Sequence, residues 1–162
     1  MNCSLQPKFT YFTALCAIII LQSCSWVNSF YISNTTNEPI VAEITLLDSV
    51  SSFPIFYDNK KSFTAYKLNE NNAPDYNATI PVQEIISNTK HSFTITIQPK
   101  TSIQIGVLHN DNYTNHKQKF INGRCFNLKQ ILIKSKQSQQ SFNPDEFDKS
   151  LKKVKGDFIL AI

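Results

Sequence analysis

From Ser92 the chain alternates: Phe93, Ile95 and Ile97 take every second position, with Thr94, Thr96 and Gln98 between them. A period of two puts successive side chains on opposite faces, so this segment is a strand with one apolar face. Pro99-Lys100-Thr101-Ser102 turns the chain, and Ile103, Ile105 and Val107 resume the pattern. Residues 92–98 and 103–108 therefore predict a hairpin. Across 40–47, Ile40, Ala42, Ile44 and Leu46 alternate with Val41, Glu43, Thr45 and Leu47. Shorter strand-like runs occupy 30–32, 53–57, 62–68 and 79–86, the last confined to an edge or a bulge by Pro81. Asn122-Gly123 readily adopts the positive φ angles of a type I′ turn, which predicts a second hairpin between 117–121 and 124–133. Residues 69–78 and 134–141 read as polar connectors.

Many short strands, three glycines and no βαβ rhythm define a mainly β chain. The expected architecture is an antiparallel β-sandwich of immunoglobulin-like or transthyretin-like topology, ending in one short helix and a final strand. The helix has a readable start. Asn143 can cap it, Pro144 suits its first position and Glu146 completes a capping box. Phe142 and Phe147 are spaced as a hydrophobic staple. With Phe147, Leu151 and Val154 as an apolar stripe, the helix is expected over about 144–155. Lys152, Lys153 and Lys155 then complement the helix dipole and Gly156 stops it. The apolar ending Phe158-Ile159-Leu160-Ala161-Ile162 is expected as a buried last strand.

The start of the chain has a different character. Residues 1–8 are polar with one charge, Lys8, and residues 9–21 are almost wholly apolar. As a helix, the apolar run spans about 20 Å at ~1.5 Å per residue, too short for a bilayer core of ~30 Å. It fits the apolar region of a signal peptide. Leu21-Gln22-Ser23-Cys24 follows, with leucine three places before the cysteine and a small residue just before it. This stretch resembles the lipobox cut by the lipoprotein signal peptidase, and the chain resembles a small envelope lipoprotein of the Bacteroidota type. The resemblance implies a signal peptide over 1–23, recognised through Leu21, Gln22 and Ser23, with lipidation of Cys24. It implies a tether over 24–29, a single sandwich domain over 30–162, and a membrane partner reached through the lipid. Ser25 follows the cysteine rather than aspartate, and residues 25–29 carry no acid. That implies the outer membrane, on its periplasmic face rather than the cell surface. In leader and architecture the chain also resembles the small outer-membrane lipoprotein that serves type VI secretion as an assembly adaptor.

Cysteine usage agrees with this division. Cys3, Cys16 and Cys24 lie at or before the expected cut and only Cys125 lies beyond it, so no disulfide framework is expected. The net charge of +4 is dispersed, and Arg124 is the only arginine. Nucleic-acid surfaces use clustered basic stripes, so nucleic acid is not an expected partner.

Chemistry-bearing motifs are sparse. His109, Asp111 and His116 are the residue types that bind zinc or copper, but their spacing matches no metal motif and an ordinary polar loop is expected. Cys125 lies in a strand-like run, where a buried inert thiol is expected. No nucleophile elbow, phosphate-cradling glycine loop or metalloprotease motif is present. The expectation is a non-catalytic protein, with no cofactor beyond the lipid on Cys24 and with an envelope protein as its partner. The alternative is a glycan- or metal-binding module that uses the 109–116 loop. Asn34, Asn77 and Asn112 open tripeptides of the N-glycosylation type, and Asp48-Ser49-Val50 resembles an O-glycosylation motif of Bacteroidota envelope proteins.

Overall fold

The computed structural model describes residues 25–48, 53–82 and 85–162. In chain order its elements are β1 (Val27–Asn34), β2 (Ile40–Leu46), β3 (Phe53–Pro54), β4 (Thr64–Leu68), β5 (Pro74–Ile80), β6 (Ile85–Thr89) and β7 (Ser92–Ile97). Then come β8 (Thr101–His109), β9 (Arg124–Cys125), β10 (Leu128–Lys134), β11 (Gln139–Phe142), α1 (Pro144–Ser150), β12 (Leu151–Val154) and β13 (Asp157–Ala161). Two sheets form a mainly β sandwich. One has the order β12-β13-β1-β8-β4-β5 and the other β11-β10-β2-β7-β6. The alternating residues of both sheets meet in one core, with Phe30, Ile32, Ile103 and Ile105 from the first and Ala42, Ile44, Phe93, Ile95 and Ile131 from the second.

The strongest alternation lies where expected, but 92–98 and 103–108 are not a hairpin. β7 pairs with β2 and β6, whereas β8 pairs with β1 and β4. Lys100, at φ 54°, turns the chain across the core instead of back along one sheet. Phe93, Ile95, Ile97, Ile103 and Ile105 face inward, so a period of two is satisfied equally by facing and by adjacent strands; past the irregularity opposite Phe30 and Tyr31 the alternation of β8 breaks, and Leu108 rather than the expected Val107 enters the core. The Asn122-Gly123 hairpin is also absent. Ile121–Gly123 is a 3-10 turn, Gly123 has φ +68°, and β9 pairs in parallel with β3. Residues 117–121 are not a strand, because the Ile121 amide donates to the Asp111 carboxylate at 2.8 Å rather than to a neighbouring ladder.

Both expected connectors contain edge strands. A turn at Asn72 (φ 55°) starts β5 at Pro74, the first residue of an edge strand, where no amide is needed. Pro81 then ends β5 instead of lying within a strand over 79–86. Residues 135–138 make a tight turn, closed by the Ser135 amide on Ser138 O at 2.9 Å, and β11 pairs with β10. Their polar sequences show no alternation because edge strands are largely wet.

The capping box at Asn143 and Glu146 forms as expected, and Phe142 and Phe147 are both buried. The helix ends at Ser150, however, not near 155. Leu151 is extended and begins β12. Lys155 (φ 51°) and Gly156 (φ +99°) supply the two positive angles of a type I′ turn between β12 and β13. Gly156 therefore ends a hairpin arm, and Leu151 and Val154 do not continue a helical stripe. Lys152 and Lys153 lie on an edge strand, where charge discourages further pairing. The last strand is buried as expected, between β12 and β1.

β1 starts at Val27, ahead of the expected Phe30, and its residues 28–34 are all buried. Its inward face supplies Phe30 and Ile32. Its outward face supplies Tyr31, which lies 6.0 Å from Tyr66 and 6.4 Å from Tyr76 between ring centroids. Tyr76 of β5 donates to Asp157 of β13, across β4, β8 and β1. On a flat sheet those strands are ~19 Å apart at ~4.8 Å per spacing, so the sheet curls over its own outward face.

Gly106 of β8 lies against the 53–57 segment. A Cβ there would stand 2.5 Å from Ile55 O and 3.1 Å from Phe56 Cα, both backbone atoms. Gly106→Ala is expected to cost about 1–3 kcal/mol in urea unfolding, and an unchanged midpoint would contradict this close approach. Burial raises the Tyr31 phenol to about 12 from 10.0. A raised folded value means stability present below the unfolded pKa and lost as pH climbs toward 12, by roughly 2–3 kcal/mol. Tyr31→Phe should flatten that alkaline slope; a slope identical to that of the parent chain would refute the assignment.

Candidate functional site

β8 ends at His109, and the next strand pair begins only at Arg124. The intervening loop lies at the end of the sandwich where β1 starts. Val27 opposes His109, the Trp26 amide donates to Asn110 Oδ1 at 3.1 Å and the Asn110 amide donates to Trp26 O at 3.0 Å. The buried Asn28 side chain donates to Asp111 O at 2.9 Å. This ties the loop to β1 on its other side.

The loop folds around two carboxylates. Asp111 accepts from the amides of Asn112 (2.7 Å) and Ile121 (2.8 Å) and from Gln118 Nε2 (3.4 Å). Gln118 also accepts from the amide and the hydroxyl of Thr114, each at 2.8 Å, and donates to Asn112 O at 2.7 Å. The second carboxylate is Asp148, on α1. It accepts from the Tyr113 hydroxyl, from the His116 amide at 3.0 Å, and pairs with His116 Nδ1 at 2.7 Å. Asp145 lies 3.7 Å from His116 Nε2.

Tyr113 inserts among Phe30 (5.0 Å, edge-on), Phe158 (5.2 Å, edge-on), Phe120 and Phe126 (each 6.1 Å, stacked). Burial first, then its bond to Asp148, pushes its phenol far above the usual tyrosine range. Tyr113 is thus a neutral donor and no proton acceptor at ordinary pH. Asp148 serves as the half-buried acceptor that fastens the loop to the helix, a role set by its three donors.

The three metal candidates do not converge. His116 turns to Asp148, Asp111 spends both oxygens on the loop, and His109 stands at the end of β8. Among the described residues no group of three or more His, Cys, Asp or Glu is placed to hold a metal ion. Cys125 is half-buried in β9. Leu21, Gln22, Ser23 and Cys24 lie outside the described residues, as do Ser49 and Val50 of the O-glycosylation tripeptide. Asn34 is fully buried and its amide nitrogen donates to Glu38 O, Ile97 O and Gln98 O, so it is not available as a glycan acceptor in the fold. Asn77 and Asn112 are exposed.

Asp148 and Gln118 had no local signal, since Asp148 acts on a residue 32 positions away. A cleft of about 320 Å³ opens beside Tyr76, between the β4–β5 turn and Lys155. No family model matches this chain, and neither a curated protein nor a solved structure matches it.

Removing the Asp148 carboxylate strands three donors, two of them in a largely buried setting. Asp148→Ala is expected to lower unfolding stability by about 1–3 kcal/mol, with Asp148→Asn recovering part of it. Equal stability of Asp148→Ala and the parent chain would remove this carboxylate from its fastening role.

Proposed function

We propose that this protein is a non-catalytic envelope lipoprotein. It is cut before Cys24, held at the outer membrane by acyl chains on that cysteine, and acts there as a structural or interaction adaptor facing the periplasm. The sequence support is the apolar run followed by Leu21-Gln22-Ser23-Cys24. The observation that carries the reading is the position of β1. Only Ser25 and Trp26 separate Cys24 from Val27, the first residue of a strand buried along almost its whole length. An anchor at Cys24 joins the lipid almost directly to the core, and two extended residues reach only ~7 Å. Lipoprotein cysteines carry more than one chain, and each buried methylene adds ~0.8 kcal/mol, so such an anchor holds firmly.

The alternative, a glycan or metal module on the 109–116 loop, has less support. The polar groups of that loop are engaged with one another and with α1. Cys24→Ala in the native host is the direct test. The expected outcome is an uncut precursor without lipid, read by intact mass, while the parent chain is lipidated and fractionates with the outer membrane. Normal processing of Cys24→Ala would overturn the lipoprotein reading.

A further inference from the structure

Among the described residues, eight large hydrophobic side chains are exposed. Six of them, Trp26, Val27, Leu47, Phe53, Ile121 and Val154, belong to the end of the sandwich where β1 begins. The hydrogen bonds and register show this directly. Trp26 and Asn110 exchange two backbone-linked bonds, and Val27 opposes His109. Asn28 bonds Asp111, whose carboxylate holds the Ile121 amide. Phe53 opposes Arg124, just beyond the 3-10 turn that contains Ile121. The Leu47 amide donates to Asn127 O at 2.7 Å, two residues past β9. The turn after Val154 abuts Asn28, where a Cβ on Gly156 would stand 3.4 Å from Asn28 Oδ1.

Trp26 is 48% exposed, Phe53 56% and Ile121 59%. Such a concentration of apolar side chains at one end of a small domain marks an interaction surface. Exposed Lys117 and Lys119 belong to the loop of this end, Lys117 paired with Asp145 at 3.4 Å, and exposed Lys155 to the turn after Val154. Of the other two exposed large hydrophobics, Ile86 lies on the edge strand β6, and Tyr76 of β5 donates to Asp157 and lines the cleft it shares with Val154 and Lys155.

We infer that this end of the sandwich lies on a phospholipid bilayer, with Trp26, Phe53 and Ile121 seated among the headgroups and first acyl carbons. The inference rests on lipidation of Cys24. The described domain begins at Ser25 on this face, and with Cys24 lipidated the two-residue interval to β1 leaves the domain no room to stand off the membrane. Tryptophan is the side chain best suited to the boundary, with an apolar ring and a polar N–H. Anchor and surface thus act together, and the acyl chains make shallow insertion of the domain an intramolecular step.

The chain has one tryptophan, so Trp26 reports this contact without labels. The processed protein is reconstituted in phosphatidylethanolamine–phosphatidylglycerol vesicles whose lipids carry bromine at shallow or deep acyl carbons. Its intact mass is measured in parallel. The expected result is blue-shifted Trp26 emission, quenched more by shallow than by deep bromine. Phe53→Ser with Ile121→Ser should lose most of that quenching, and Ile86→Ser should retain it. A lipidated mass with unquenched Trp26, or equal loss in Ile86→Ser, overturns the inference and leaves the lipoprotein reading standing. A mass without lipid on Cys24 overturns both. A blue shift that is insensitive to bromine and grows with protein concentration would assign the face to a second copy of the chain and also overturn the inference.

Discussion

β1 is the constraint on which the rest of the structure depends. It pairs in parallel with β13 on one side and antiparallel with β8 on the other, and both of its faces are covered. The inward face carries Phe30 and Ile32 into the common core. The outward face carries Tyr31 and Ser33, and the latter bonds Ser102 of β8 at 2.8 Å. A strand with two buried faces cannot slip its register, because a one-residue shift would turn Tyr31 and Ser33 into the core and Phe30 and Ile32 out of it. The chain's last strand completes this ladder, and Ile162 O takes the amide and hydroxyl of Thr35 beyond it. The first and last parts of the domain therefore stabilise one another, and the sheet acquires its curl from tyrosines that must also be covered.

Sequence periodicity conveyed which side chains face inward as far as Ile105, beyond which Leu108 replaces Val107 in the core, but not which strands adjoin. Phe93, Ile95, Ile97, Ile103 and Ile105 all point into the core as their spacing requires. Whether two consecutive strands pair or face each other depends on the turn between them, and Lys100 at positive φ gives no compositional sign of that choice. Edge strands were the least visible elements. β5, β11 and β12 are polar because one edge and much of their surface meet water. The helix start was legible down to its capping box, since all of those interactions lie within a few residues. Its end was not, because the partner that draws Leu151 into a strand is Leu160, which belongs to a tertiary ladder.

The candidate loop illustrates the same division. His109, Asp111 and His116 could be identified as the chemistry-bearing residue types of the chain, yet their assignments arise from residues remote in sequence. Asp148 organises His116 and Tyr113 from the helix, and Asn28 holds Asp111 from β1. Asn127 is a further case. Its side chain accepts from the Phe56 amide at 2.8 Å and donates to Phe56 O at 3.0 Å, replacing a neighbouring strand where the ladder has none. Every buried side-chain polar atom among the described residues has a partner, which is what folding demands of groups removed from water. An asparagine-rich chain meets that demand through carboxamides that both donate and accept.

The two ends of the sandwich solve loop closure differently, and the difference bears on what the molecule meets. At the far end Asn34 alone holds three carbonyls together, while its oxygen accepts from the Thr36 amide and hydroxyl. Ser135 and Ser138 close the neighbouring turn with their own groups. Residues 35–39, 98–100 and 135–138 carry no large apolar side chain. This end is thus closed by side-chain hydrogen bonds without large apolar groups in those segments. At the near end the loop around Asp111 and Asp148 is bonded just as thoroughly, so its backbone does not need exposed apolar groups for closure. Trp26, Phe53 and Ile121 remain outside nonetheless. Apolar surface in excess of what closure requires is unfavourable in water, and the lipidation of Cys24 proposed above would bring a lipid surface within two residues of β1.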